Sequence, residues 1–502
     1  MPETRHGPEQ RAGLLRRNTL WNLVGQGTPL VAALFAVPLL VTKLGTDRFG
    51  VLTLAWALVG YLSLFDLGIG RAMTKLVAER LGVGHEAEIP AVAWTGLSIM
   101  VLLGLATGFA LGLLSPQLVE RTLKIPRALR VETLHALYIL ALSIPAVIST
   151  AGLRGILEAY QRFDLVNLVR IPMGAFTFLA PVLVLPFSHN LAVVVAALVA
   201  LRLVTLLLHL LLCLRVMPSL RKRMALEPKV IRPLIRLGSW MTVSNIVGPV
   251  MLYLDRFLIG ALISVAAVAY YATPYEMVTK LLVIPGAVVG VLFPAFAASF
   301  APDPSRTADL FRRGLKYLFL ALFPITLLIV ILAPEGLTIW LGSEFAEKSA
   351  RVLQWLAVGV LLNSLAQVPF AVLQGVGRPD LTAKVHLVEL PLYVLVAWWL
   401  IGSRGIEGAA IAWLIRATVD AFVLFWLSLR LLPTSSRFAQ RLGSVLAPSL
   451  VALAVATLPT SIAMKGLFLL ITLATFIPIT WFQVLSAEER ELVQRTLRTP
   501  RH

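Results

Sequence analysis

Charge is scarce in this chain: Asp, Glu, Lys and Arg together make up 14% of its 502 residues, while 58% are hydrophobic and mean hydropathy is +0.85. A soluble domain carries about a quarter of its residues as charges, so a soluble fold is excluded. Cysteine is nearly absent. The single Cys213 lies in an apolar helix, which rules out an intrachain disulfide and reads as packing. The seven histidines are scattered, with no H-E-x-x-H and no Cys/His metal spacing, and no G-x-x-x-x-G-K-[ST] phosphate loop occurs. Neither a catalytic metal centre nor ATP hydrolysis by a P-loop is expected, and no cofactor. Every loop assigned to the outside is short, about twenty residues or fewer, which leaves little room for a glycan-assembling enzyme.

What the chain has is long apolar runs. A membrane-crossing helix needs about 20 mostly apolar residues, and about fourteen such segments fit the sequence. The reading is an all-α polytopic membrane protein with about 14 transmembrane helices, in two parallel six-helix repeats plus two C-terminal helices. The parts are a cytoplasmic segment 1–18, a six-helix lobe 19–214, a basic cytoplasmic connector 215–235, a second six-helix lobe 236–432, two additional helices in 433–485 and a cytoplasmic tail 486–502. Within the first lobe the spans run near 19–41, 49–69, 90–113, 134–157, 165–186 and 190–214. In the second they run near 236–260, 266–298, 315–334, 350–374, 381–402 and 407–432, with the last two near 443–461 and 464–484. The first apolar run, from about 20 to 41, is too long for the core of a signal peptide and reads as a retained span.

The net charge of +18 invites a nucleic-acid partner, but its distribution speaks against one. With both termini inside, about 30 of the 44 lysines and arginines fall on the cytoplasmic side, the positive-inside pattern of a cell inner membrane protein. Arg221-Lys222-Arg223 in the connector is its strongest marker. The segment 114–133 is the exception: assigned outside, it holds Arg121, Lys124, Arg127 and Arg130.

The repeat shows in two places. Trp21 and Pro29 open the first span much as Trp240 and Pro249 open the seventh. LEAYQRFDL (157–165) matches LQGVGRPDL (373–381) at constant offset, each on the turn after the fourth span of its half. Six spans restore sidedness, so the halves are expected to run in the same sense about an axis along the membrane normal, with the substrate site between them. Pro29, Pro38, Pro249, Pro274, Pro285 and Pro294 interrupt spans, as hinges or as static kinks. Gly104, Gly108 and Gly112 form a small-residue ridge suited to close helix contact. The tail opens on a capping box, Ser486 and Glu489.

An ionisable side chain at bilayer depth costs about 2.5–3.5 kcal/mol on insertion scales, so it normally faces a partner or a watery cavity. The stretch 237–271 carries Asp255 and Arg256 side by side. Neighbours on a helix point about 100° apart, so at least one is expected to face the interior. Glu276–Lys280 and Arg416–Asp420 share an i,i+4 spacing that makes each either a self-neutralising pair or a source of substrate contacts. Arg202 is also at depth, with Glu389 nearer a span end. Arg71, after DLGIG (66–70), and Arg154 end the second and fourth spans, and Arg16 and Arg17 precede the first. Arg71 and Arg154 read equally as snorkelling to lipid phosphate or as part of an entry path, which would also pass Arg17. Arginine's planar fork of donors suits a phosphate or pyrophosphate.

TKLGTDRFGVLTLAWALVGYLSLFDLGIGRAMTK (42–75), YLDRFLIGALISVAAVAYYATPYE (253–276) and LQGVGRPDL resemble the polysaccharide and lipid-linked oligosaccharide flippases. Their superfamily also holds multidrug and toxin extrusion transporters and lipid II flippases. The resemblance implies two six-helix lobes around a cationic cavity that opens to one side at a time. It implies as cargo an undecaprenyl-pyrophosphate-linked glycan, with membrane lipid as its surroundings and a polysaccharide polymerase or assembly proteins as further partners. On the family's pattern fall Asp255, Arg256 and Tyr271 after the seventh span, and Asp66, Gly68 and Gly70 after the second. The expected substrate contacts are Arg256, Asp255, Arg71, Arg154, Arg17, Arg416 and Lys280, with Glu276, Asp420 and Asp66 as coupling or structural carboxylates. A drug antiporter of the same superfamily is the rival. Cation-coupled drug exporters commonly carry an acid in the first span, and residues 20–41 contain none.

Overall fold

The computed structural model describes residues 8–62, 68–221, 227–433, 436–458, 461–481 and 489–491, without the side chains of 8–26, 62, 233, 235–249, 252 and 436–442. Among these residues the secondary structure is helical throughout. Lipid offers the backbone no hydrogen-bonding partners, so apolar runs satisfy their own amides as helices. The chain divides into two compact units, residues 1–272 and 273–502.

The first unit holds α1 (Pro8–Leu62), α2 (Ile69–Gly82), α3 (Ile89–Gln117), α4 (Arg130–Ala159), α5 (Phe163–Val184), α6 (Leu191–Val216), α7 (Pro228–Leu262) and the start of α8 (Val265–Thr279). The second continues through α9 (Val283–Ser299), α10 (Pro304–Leu341), α11 (Ser343–Gly375), α12 (Pro379–Leu431), α13 (Ser436–Val455) and α14 (Ile462–Ile479). Ten stretches among the described residues are long and apolar enough to cross a bilayer, so the protein is an all-α, multi-pass membrane protein.

The spans do not all appear as separate helices. Spans one and two share α1, broken at Gly45 (φ 79°), and spans eleven and twelve share α12, broken at Gly405 (φ 63°). Both glycines adopt backbone angles that a β-carbon makes costly. At Gly405 the chain reverses: His386 Nε2 and Asp420 Oδ1, 34 positions apart on α12, lie 3.6 Å from each other. The eighth span differs in the opposite sense. Where one run over 266–298 was expected, α8 and α9 are separated by a 3-10 turn at Lys280–Leu282. Pro285 accounts for the break, since it lacks an N–H and its ring crowds the carbonyl four residues back, at Leu281.

Sequence analysis assigned no element to residues 70–88, and α2 fills most of them. Ile69, Ala72, Met73, Leu76 and Val77 are buried, at the i, i+3, i+4, i+7, i+8 spacing of an amphipathic helix. They join a core with Ile89, Val92, Met100, Ile148, Ile156 and Cys213. Cys213 donates its thiol to the Leu153 carbonyl (3.3 Å), in keeping with a packing role.

The two turns picked out by sequence repeat share corresponding backbone hydrogen bonds. Arg162 N–H donates to Leu157 O and Arg378 N–H to Leu373 O, each at 2.9 Å. Tyr160 N–H reaches Ile156 O and Val376 N–H reaches Val372 O, while Gln161 N–H reaches Glu158 O and Gly377 N–H reaches Gln374 O. Gln161 (φ 58°) and Gly377 (φ 79°) occupy the same left-handed position. Arg162 then pairs in a two-pronged fashion with Asp164, and Arg378 with Asp380. In both turns the carboxylate's hydrogen bond holds the guanidinium above its ordinary pKa. The shared bonding is the helix C-cap that a left-handed residue closes.

The glycine ridge of α3 meets α4 at two of its three positions. A β-carbon on Gly104 would come 2.4 Å from Pro145 Cα, and one on Gly108 2.6 Å from Ala141 O, whereas one on Gly112 meets nothing within 4 Å.

Candidate functional site

Asp255 and Arg256 sit seven and six residues before the end of α7, and both are buried, at 0% and 2% exposure. Asp255 Oδ1 accepts from the Arg256 backbone N–H (2.8 Å), and Oδ2 accepts from the hydroxyl of Tyr271 on α8. The Arg256 guanidinium lies 5.3 Å from the centre of the Tyr253 ring, one turn back on α7. Its positive charge faces the negative face of that ring. Two elements hold this hairpin in place. Ser264 Oγ accepts from Ala267 N–H at the start of α8 (3.1 Å). At the end of α7, Lys124 donates its backbone N–H to Gly260 O (2.9 Å) and its ammonium to Leu262 O (2.6 Å). A cation on terminal carbonyls complements the helix dipole. One of the basic residues that made 114–133 anomalous thus has a structural task.

The other expected contacts divide by exposure. Arg71 is exposed and is the third residue of α2, not the end of a span. The described part of the helix carrying the second span ends at Leu62, and α2 begins at Ile69. Arg154 is exposed on α4 and pairs with Glu158 one turn on, at 3.3 Å. Lys280 pairs with Glu276 at 3.4 Å, half-exposed on both sides, beside the break between α8 and α9. The i,i+4 spacing therefore forms the pair there. Asp66 lies outside the described residues, as does the side chain of Arg17, and the Ser486 end of the tail's capping box is outside them too.

Arg416 and Asp420 do not form the pair their spacing suggested. Arg416 lies 5.8 Å from the Tyr393 ring centre and 5.6 Å from that of Trp413. Asp420 turns instead to His386 across the reversal of α12. The reason is topological: Gly405 folds α12 back, so the residue facing Asp420 comes from the other arm rather than from the next turn. Glu389 completes a cluster with His386 and Asp420, one potential ligand atom from each lying within 4.8 Å of the others. Sequence analysis noted Glu389 only as a group near a span end and passed over His386. The available signal was their i,i+3 spacing on one face of an apolar helix.

Residues 15–300 match the polysaccharide biosynthesis protein family. A Shigella flexneri protein named for O-antigen transport is 31% identical over 420 residues, which cover 83% of this chain and 98% of that one. Among solved structures, the lipid II flippase MurJ in an inward closed conformation superposes with a TM-score of 0.70 at 13% identity, over 93% of this chain and all of its own. An inward-facing multidrug resistance MATE family transporter of the MOP superfamily gives 0.67 at 15% identity, over 83% of this chain and 99% of its own. At such identities the likeness is one of fold. The chain belongs to the polysaccharide biosynthesis protein family and has the helical fold of MOP superfamily transporters.

Proposed function

We propose that the protein is a flippase that moves an undecaprenyl-pyrophosphate-linked oligosaccharide across the cytoplasmic membrane for polysaccharide biosynthesis. The observation that carries this reading is the likeness, over 83% of this chain and 98% of the relative, to a protein named for O-antigen transport, at an identity that exceeds what fold alone demands. The protein sits in the cell inner membrane with both termini in the cytoplasm. The lobes 19–214 and 236–432 alternate access to a cationic cavity, and a polymerase or other assembly partner receives the product.

Exposed Arg71 and Arg154 and half-exposed Lys280 are the cations that an incoming pyrophosphate reaches first, together with Arg17 ahead of the first span. Each already has a carboxylate neighbour or solvent, so exchange for phosphate costs little. Asp255 and Arg256 are sealed in the present conformation. Contact between Arg256 and the pyrophosphate therefore belongs to another conformation, in which the α7–α8 hairpin has loosened its Tyr271–Asp255 bond. Arg416, held over aromatic rings, is a second such cation, with Asp420, Glu276 and Asp66 as the balancing carboxylates. An inside-negative membrane assists the step, by about 2.3 kcal/mol per negative charge moved outward per 100 mV.

The test is export in a strain whose only copy is Arg256→Ala. Surface glycan is expected to disappear while the variant remains folded in the membrane. Undiminished glycan at matched protein levels removes Arg256 from the cargo path.

A further inference from the structure

The cluster on α12 brings three metal-ligating side chains together within 4.8 Å. His386 and Glu389 stand on the arm before Gly405 and Asp420 on the arm after it. Glu389 is 6% exposed, and neither of its carboxylate oxygens has a hydrogen-bond partner; Asp420 Oδ1 also has none. Two carboxylates buried beside each other without donors are costly, because each loses hydration and repels the other. A cation bound between them offsets both penalties.

Arg416, four residues before Asp420 on the same arm, does not supply it. Arg416 makes no ion pair with Asp420 or Glu389; its Nε lacks a partner and its guanidinium rests on Tyr393 and Trp413. His386 Nε2 and Asp420 Oδ1, 3.6 Å apart, are too far from each other for a direct hydrogen bond. That separation suits two ligands of one metal ion: donors about 2.1 Å from a common centre lie roughly 3–4.2 Å apart. Closing the whole set, now within 4.8 Å, onto one ion needs movements of about half an ångström. The donor set selects the ion. Imidazole with two carboxylates is a mixed nitrogen and oxygen site, which suits a divalent first-row transition ion better than sodium or magnesium. Phe370 of α11 stacks on the His386 ring (6.1 Å between centres, 14° between planes) and fixes its orientation.

We propose that His386, Glu389 and Asp420 form a binding site for one divalent transition-metal ion, which ties together the two arms of α12. The two carboxylates neutralise the ion, and Arg416, on the same arm as Asp420, carries a charge that opposes it. The site stands apart from the identity of the cargo.

The test uses the full-length protein in detergent, with any histidine tag removed, titrated with Co2+ and followed by visible absorption. One Co2+ per chain is expected, displaced by Zn2+. Glu389→Gln and His386→Ala are each expected to weaken Co2+ binding at least tenfold, and Arg416→Gln to tighten it. Asp420→Asn, which keeps the side-chain shape, gives the same reading if His386→Ala fails to fold by size-exclusion chromatography. Absence of stoichiometric Co2+ from the wild type overturns the proposal, and so does unchanged affinity in Glu389→Gln and Asp420→Asn.

Discussion

Tyr271 donates its hydroxyl to Asp255 with both side chains shut away from solvent, so a phenol on α8 satisfies a carboxylate on α7 across the hairpin between them. A charged acceptor makes this one of the stronger side-chain bonds. Tyr271→Phe is expected to lower stability by about 1.5–3 kcal/mol. Thermal unfolding of the purified variants measures it, and a double-mutant cycle with Asp255→Asn isolates the pair.

The paired turns at 161 and 377 call for substitutions of opposite sign. Gln161 bears a left-handed backbone that costs a side-chain-bearing residue about 1–2 kcal/mol, whereas Gly377 takes the same angle freely. Gln161→Gly is expected to leave stability unchanged or raise it, and Gly377→Gln to lower it by about 1 kcal/mol. Melting temperatures that move the same way in both variants would show that the turns are not equivalent.

On α3 the ridge separates tight from open positions. Gly104→Leu pushes a side chain into the Pro145 backbone and is expected to cost about 1–3 kcal/mol or prevent folding. Gly112→Leu enters open space and is expected to stay within about 0.5 kcal/mol of the wild type. Fluorescence-detected size exclusion after heating compares the two.

Lys124→Met removes the cation from the carbonyl end of α7 while keeping most of the side chain's length. Loss of that interaction is expected to cost about 0.3–1 kcal/mol, and more at low salt than at high. Unfolding at two ionic strengths reads the difference.

Much of the fold was legible because lipid leaves the chain few options: a long apolar run becomes a helix, and the LEAYQRFDL and LQGVGRPDL turns match at constant offset. The amphipathic α2 was missed because its apolar face is narrow and follows an apolar span, so Arg71 was attached to the wrong element. The break at Lys280–Leu282 was blurred because three prolines, at 274, 285 and 294, compete to interrupt one run. The site was less legible. Spacing along one helix foretold Glu276–Lys280, which pair, and equally foretold Arg416–Asp420, which do not. The difference lies at Gly405, whose reversal brings His386 to Asp420. No local pattern reports a contact made across 34 residues.

The central claim is that this protein carries a lipid-linked glycan outward. The most direct measurement is the leaflet distribution of the undecaprenyl-pyrophosphate-linked oligosaccharide in inside-out and right-side-out vesicles from cells with and without the gene. A membrane-impermeant glycosidase reports which face the sugar occupies. With the protein present the sugar is expected on the outer face, and without it on the cytoplasmic face. An outer-face population of the same size in cells lacking the protein would contradict the account.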